Sequence, residues 1–395
     1  MLQLLATYTL DMSQAERIPG RKRYIIRSIL ALIVAGFPGA IFAQTPSGQA
    51  FESAEALFRQ NPRWLGTDGA NSTPLGNDRI FWSFEDTFIA ITDAHSRQQS
   101  TMVRNSVAIQ TGSDPLTAKM SFYWGRDADA LPASFFPEDG DAWYWTGGAI
   151  RLDEGPLITF LHRTKSTPGE GLGFANAGYA VAIIKNPDLP PSSWKPVIIN
   201  GGKSKFDAVP ATALVRDGEY IVGLALKQEG THAGALVRYP AASLALGNID
   251  KPQWWAGPNR GWVGEGVLGS GGPVFVIDDA GAESSLHWDQ GTRSFIHIAT
   301  YGFGAATIGM RTSPALTGPW SSWVEIYRPP ELEMPRPFIY SAIAHPELTA
   351  PDPAGLIVTY ATNSFEFGDL FTEHGRKHLY WPRVITVKPG GHQAK

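Results

Sequence analysis

The chain has 395 residues, of which 18% are charged and 11% aromatic, with 33 Lys and Arg against 37 Asp and Glu for a formal net charge of −4. Its 42 glycines and 30 prolines exceed ordinary usage yet stay below low-complexity levels, which excludes a collagen, a coiled coil and a disordered tail. There is no cysteine, so disulfide frameworks, thiolate nucleophiles and cysteine-ligated zinc are excluded as well. In chain order the first feature is an address. Arg21, Lys22, Arg23 and Arg27 precede an apolar stretch over 29–43 that is too short to span a bilayer and ends on the small Ala43. This pattern predicts a signal peptide over 1–43, cleaved after Ala43, with Met12 as a start that would serve equally; an uncleaved N-terminal anchor is the alternative. Residues 1–43 hold five basic and two acidic side chains, so residues 44–395 carry 28 against 35, a net charge of −7. No basic stripe is visible, and nucleic acid is not an expected partner. A cysteine-free exported chain with a large core suits a secreted or periplasmic protein.

After a short polar, helix-compatible segment at 49–60, alternation of period two dominates. Strands are predicted at 79–91, 102–111, 147–152, 156–164, 178–185, 219–227, 234–240, 272–278, 294–302, 355–363 and 378–387. Turn clusters such as NPDLPP, VRDGEY, DDAGAE and TAPDPAG separate them. No amphipathic helix longer than two or three turns is apparent. The class is all-β. A loose recurrence, a polar loop with a carboxylate or His followed by a strand pair and an aromatic edge, passes through 68–91, 143–163, 222–239, 283–301 and 345–362. Five passes at about 70 residues each fit a radial array of four-stranded units better than one sandwich. The expected architecture is a five-bladed β-propeller over 44–395, in which loops at one mouth converge their side chains on a point.

The stretch WLGTDGANSTPLGNDRIFWSFEDTFI (64–89) followed by MVRNSVAI (102–109) resembles the opening of secreted five-bladed propeller glycoside hydrolases. That family was long known only as a domain of unknown function, and it includes endo-D-arabinanases. Asp68, Trp82, Phe84, Asp86, Thr87, Asn105 and Ser106 occupy the places of its motif, with Glu85 where Gly is usual. AESSLHWD (282–289), RTSPALTGPWSSW (311–323), IYSAIAHPEL (339–348), TYATNS (359–364) and LYWPRVITV (379–387) follow in the same order, so the resemblance spans roughly residues 60–388. It implies hydrolysis of a furanose-rich polysaccharide, D-arabinan first, by two carboxyl groups.

Glycoside hydrolysis needs one protonated and one ionised carboxyl flanking the bond. Asp68, at the start of the first inner strand, is the candidate nucleophile or water-activating base, although Thr-Asp-Gly is also good Asx-turn chemistry. Glu283, at a turn-to-strand junction, is the candidate general acid, with Glu347 its rival. Asp86 lies inside an aromatic strand, where a buried carboxylate must be paired or functional. By alternation it shares a face with Trp82 and Phe84 while Glu85 faces the other way. Its role is to tune Asp68, to bind a sugar hydroxyl, or to hydrogen-bond the backbone of a neighbouring blade. Arg104, Asn105, Asp141, Trp145, His345, Glu347 and Asn363 are the candidate substrate-binding residues, and Trp254, Trp255 and Trp262 a candidate cleft rim. No metal site is predicted, and no cofactor; a structural calcium or other channel ion is compatible with the sequence but required by no ligand spacing. Motifs of serine hydrolases, P-loop and dinucleotide-binding proteins and HExxH metalloproteases are absent. A monomer acting on a polysaccharide or oligosaccharide is expected. The alternatives are a non-catalytic carbohydrate-binding propeller, which would lack one carboxylate, and a periplasmic scaffold.

Overall fold

Long apolar strands need cover on both faces, and the way this chain supplies it explains its architecture. The structure, a computed structural model, describes residues 45–169, 172–228 and 230–390; the signal peptide expected over 1–43 lies outside them. Among these residues the chain is all-β as expected, with seven sheets and only short helical turns. Five sheets are large and antiparallel. Sheet I contains Asn71–Gly76, Arg79–Phe84, Ser106–Thr111 and Lys119–Tyr123; sheet II contains Ala142–Arg151, Leu157–Ser166, Phe174–Ile184 and Val197–Gly202. Sheet III runs from Ala208–Asp217 through Tyr220–Lys227 and Gly234–Pro240 to shorter outer strands, and sheet IV from Ser284–Asp289 to Val324–Tyr327. Sheet V contains Pro337–His345, Leu356–Ser364 and Arg383–Lys388, and the early strand Ser47–Ala50 completes it.

Alternate residues of each strand enter different cores. In Leu157–Ser166, Ile158 and Phe160 pack toward sheet III while Leu157 and Leu161 pack toward sheet I. In Tyr220–Lys227, Ile221 and Ala225 join the core shared with sheet II, whereas Val222, Leu224 and Leu226 join that shared with sheet IV. The same division places a core between sheets IV and V and another between sheets V and I. Each fully buried Leu, Ile or Phe contributes about 1.5–3 kcal/mol of transfer free energy, so both faces of every sheet are held. The first strand of each sheet packs against the first strand of the next, and Pro337–His345 of sheet V packs back on Asn71–Gly76 of sheet I. At the centre the approach is close. A Cβ on Gly147 would fall 1.8 Å from the Ala211 carbonyl oxygen, so no side chain fits between the first strands of sheets II and III.

Several sequence-level boundaries need correction. The third and fifth units begin at Ala208 and Pro337, not at 222 and 345, because their first strands are rich in small residues or broken by a register shift between Tyr340 and Ile343. The run 79–91 is two strands, Arg79–Phe84 and Thr87–Ala90, and the run 102–111 likewise divides into Ser100–Val103 and Ser106–Thr111. Apolar residues lie on both sides of 85–86 and 104–105, but the pairing partner changes there. The outer halves leave sheet I and form a small sheet with Trp64–Thr67. The segment at 49–60 supplies the edge strand Ser47–Ala50 and the 3₁₀ helix Glu52–Arg59.

Candidate active site

The two neighbouring bends bring charge to one place. Asp68 follows Trp64–Thr67 and is tied across the first bend: its N–H donates to the Asp86 carbonyl at 3.3 Å, and the Glu85 N–H donates to the Asp68 carbonyl at 3.1 Å. Gly69 follows with φ of +52°, and a Cβ there would lie 2.7 Å from Cγ of Glu85, so the Glu85 side chain lies across this glycine. Within the bend strict alternation lapses, and Glu85 and Asp86 both face Asp68 instead of opposite faces. The second bend supplies the cation. Arg104 Nη1 donates to Asp86 Oδ2 at 3.1 Å while its guanidinium lies 4.3 Å over the Trp143 ring. Trp145 Nε1 donates to the other oxygen of Asp86 at 2.9 Å. Sheet V supplies phenols. Tyr340 Oη donates to Asp68 Oδ2 at 2.7 Å and accepts from Asn363 Nδ2 at 3.3 Å, and the Tyr380 hydroxyl points at the same carboxyl. Glu283, one residue before the first strand of sheet IV, completes the group beside Ser341.

Four carboxyl groups therefore share one site, and their charges are coupled. Burial pushes Asp68 well above the usual carboxylate range, Asp86 and Glu283 add repulsion, and the Tyr340 hydroxyl opposes the rise. Glu85 is also pushed well up, first by burial, then by Glu283, Asp68 and Asp86, with no donor acting against it. Asp86 is raised by burial, and Arg104 and the Trp145 N–H restrain it. Glu283 is raised by burial, with Ser341 opposing. Such a group titrates as a unit and holds protons on some members while others are ionised. Burial divides the four: Glu85 and Asp86 are 4% and 9% exposed, whereas Asp68 and Glu283 are half-buried, with Asp68 Oδ1 and Glu283 Oε2 enclosed.

The other expected site residues fall at several places. Arg104, Trp145 and Asn363 adjoin the carboxyls as described. Asn105 does not serve substrate: it is fully buried, and its amide donates to the carbonyls of Phe136 and Tyr144 and accepts from the Phe136 N–H, all within 3.1 Å. Asp141 is exposed in the turn before Ala142 and, among the described residues, hydrogen-bonds none of the four acids. His345 and Glu347 belong to a separate network on Ser72. His345 Nδ1 and Glu347 both meet the Ser72 hydroxyl, and His345 Nε2 faces Thr359 Oγ1 at 2.8 Å. Burial lowers His345 to about 3 and raises Glu347 to about 7. This network is tied to Ser72 and Thr359, and among the described residues none of its side-chain hydrogen bonds runs to the four carboxyls, although Thr359 and Asp68 line one cavity. Trp254 is buried in sheet III and so lines no cleft, while Trp255 and Trp262, 5.6 Å apart, are half-buried beside a hydrophobic core. Among the described residues, no group of three or more His, Asp or Glu is disposed to hold a metal ion.

Comparison with known proteins places part of this chain. Residues 52–245 match the family described as Domain of unknown function (DUF5005). No curated protein matches the sequence. Among solved structures, a candidate hydrolase from Bacteroides ovatus ATCC 8483 superposes with a TM-score of 0.66 at 17% identity, over 87% of this chain and 90% of its own. That likeness is one of fold. The catalytic domain of a GH62 alpha-L-arabinofuranosidase from Coprinopsis cinerea overlaps more weakly, with a TM-score of 0.45 at 11% identity over 83% of this chain and 92% of its own. A xylan beta-1,4-xylosidase from Bacillus halodurans C-125 gives 0.44 at 12% identity, over 82% of this chain and 53% of its own.

Sequence reasoning missed Glu85, Tyr340 and Tyr380 at this site. Glu85 had a signal: two adjacent acids at the end of an aromatic strand cannot both be accommodated by alternation unless the strand stops. Tyr340 precedes Ser341, which has φ of +54°, and Tyr380 itself has φ of +61°. Such left-handed residues outside glycine mark constrained backbone, but nothing in the sequence foretells them.

Proposed function

We propose that this protein is a glycoside hydrolase, a five-bladed β-propeller with sheets I to V as blades and the carboxyl group at one mouth of its channel. The closed series of inter-sheet cores supports the propeller reading, and the convergence of four carboxyls, two of them on half-buried residues, carries the activity. Asp68, oriented by Tyr340, takes the ionised role as nucleophile or water-activating base. Glu283, half-buried and held protonated by desolvation, gives its proton to the leaving glycosidic oxygen. Asp86, held by Arg104 and Trp145, and the buried Glu85 keep a proton available on the half-buried pair through their repulsion. The substrate we favour is a furanose-rich polysaccharide, D-arabinan first, on the resemblance in motif order, and the place of action is outside the cytoplasm, as a single copy.

The test is hydrolysis of arabinan, arabinogalactan and xylan by purified 44–395. Asp68→Asn and Glu283→Gln are each expected to lose at least about 10²-fold in kcat while unfolding at the wild-type temperature. If wild type and both variants release sugar equally, or none releases any, the hydrolase reading is wrong. Retained polysaccharide binding in the second case would point instead to a non-catalytic binding propeller.

A further inference from the structure

An aromatic patch next to the carboxyl site has no structural explanation in the cores. Phe303, on the turn between Ser294–Tyr301 and Thr307–Ser313, is 73% exposed, and Phe365, after Leu356–Ser364, is 47% exposed. Their ring centroids are 5.5 Å apart, and both meet half-buried Phe338, at 5.8 and 4.7 Å, the latter pair stacked. Phe338 in turn stacks on Tyr340 at 4.7 Å, and Tyr340 donates to Asp68. A continuous line of rings thus runs from open surface to a reacting carboxyl.

The patch is also preorganised. The Gly304 carbonyl accepts from the N–H groups of Ile339 and Ala306, both at 2.9 Å, which fixes the Phe303 turn against sheet V. Gly304 has φ of +73°, and a Cβ there would lie 2.7 Å from the Phe365 ring, so glycine is what lets that ring lie on the turn. Apolar rings held in water by a pinned turn cost solvation without contributing to a core, which marks a binding surface. Rings already fixed lose little freedom when a ligand covers them. The edge is polar, with Arg336 Nη2 3.2 Å from Asp369 beside Phe365. An apolar face with a polar margin, joined to a carboxyl site, suits saccharide rings, which present C–H faces flanked by hydroxyls.

We propose that Phe303, Phe338 and Phe365 form a subsite for the glycan chain beyond the bond being cleaved, so that the enzyme grips an extended polysaccharide. This rests on the hydrolase reading above. Trp145 and Phe174, 4.7 Å apart on the Asp86 side, offer the chain a second aromatic contact across the carboxyls.

The experiment compares wild type with Phe303→Ser/Phe365→Ser, two exposed positions whose loss leaves the unfolding temperature unchanged. On soluble arabinan the double variant is expected to lose at least ten-fold in kcat/KM, mostly through KM, while cleavage of an arabinose trisaccharide stays within two-fold. Equal effects on both substrates, or none on either, overturn the subsite. Should wild type cleave neither, the hydrolase reading fails separately. Retardation in gels containing arabinan, xylan or galactan then decides the subsite: loss of retardation in the variant upholds it, and equal or absent retardation of wild type overturns it.

Discussion

Of the two phenols that act on Asp68, Tyr340 has the larger effect on its charge. Burial and the neighbouring acids favour its protonated form, and the 2.7 Å hydrogen bond from Tyr340 favours the ionised one. Tyr340→Phe removes that donor, so the folded-state pKa of Asp68 rises further and the ionised fraction at any given pH falls. The acidic limb of the kcat/KM profile is expected to move up by about one pH unit, with roughly ten-fold lower activity below the limb and recovery at higher pH. An unshifted profile would show that the phenol does not control this carboxyl. Tyr340 was hidden in the sequence because a tyrosine in an alternating strand reads equally as core. The charge of Asp68 was legible as a candidate, and its regulator was not.

Two strands that bend side by side create the site. Sheet I gives up Thr87–Ala90 and Ser100–Val103 to the small sheet, and the vacated backbone at 85–86 and 104–105 presents Glu85, Asp86 and Arg104 together. Asn105 holds the second bend by three hydrogen bonds from a site without solvent access. Asn105→Ala is expected to cost about 2–4 kcal/mol in denaturant unfolding while leaving KM of the folded protein unchanged, the opposite of what a substrate-binding asparagine would show. Period-two patterning made most strands legible, because alternate residues enter separate cores. It could not reveal the bends, since the residues on either side keep the same apolar character while their hydrogen-bonding partners change. For the same reason Asp68, Asp86 and Glu283 could be named as acids from local context, whereas the proximity of Glu85 to them, and the separate hydrogen-bond network of His345 and Glu347 on Ser72, depend on which strand follows which bend.

Sheet V is completed by a four-residue strand from far upstream in the chain. Ser47–Ala50 pairs antiparallel with Arg383–Lys388, Ser47 opposite Lys388 and Ala50 opposite Ile385. Its Gly48 leaves only 3.0 Å between a would-be Cβ and the Ile326 carbonyl, so the strand is also pressed against sheet IV. Arg383 then reaches Glu55 at 2.8 Å and Glu331 at 3.0 Å, joining the following 3₁₀ helix to sheet V. A chain beginning at Glu52 is expected to unfold about 5–10 °C lower in a thermal scan, with sheets I to IV individually intact. An unchanged midpoint would mean that the cores alone hold the circle. Pairing residue 47 with residue 388 also means that the last sheet is assembled from segments at maximal sequence separation. Among the described residues, the conformational search that unites them carries the largest loop-closure entropy, so formation of this ladder is where high contact order slows folding.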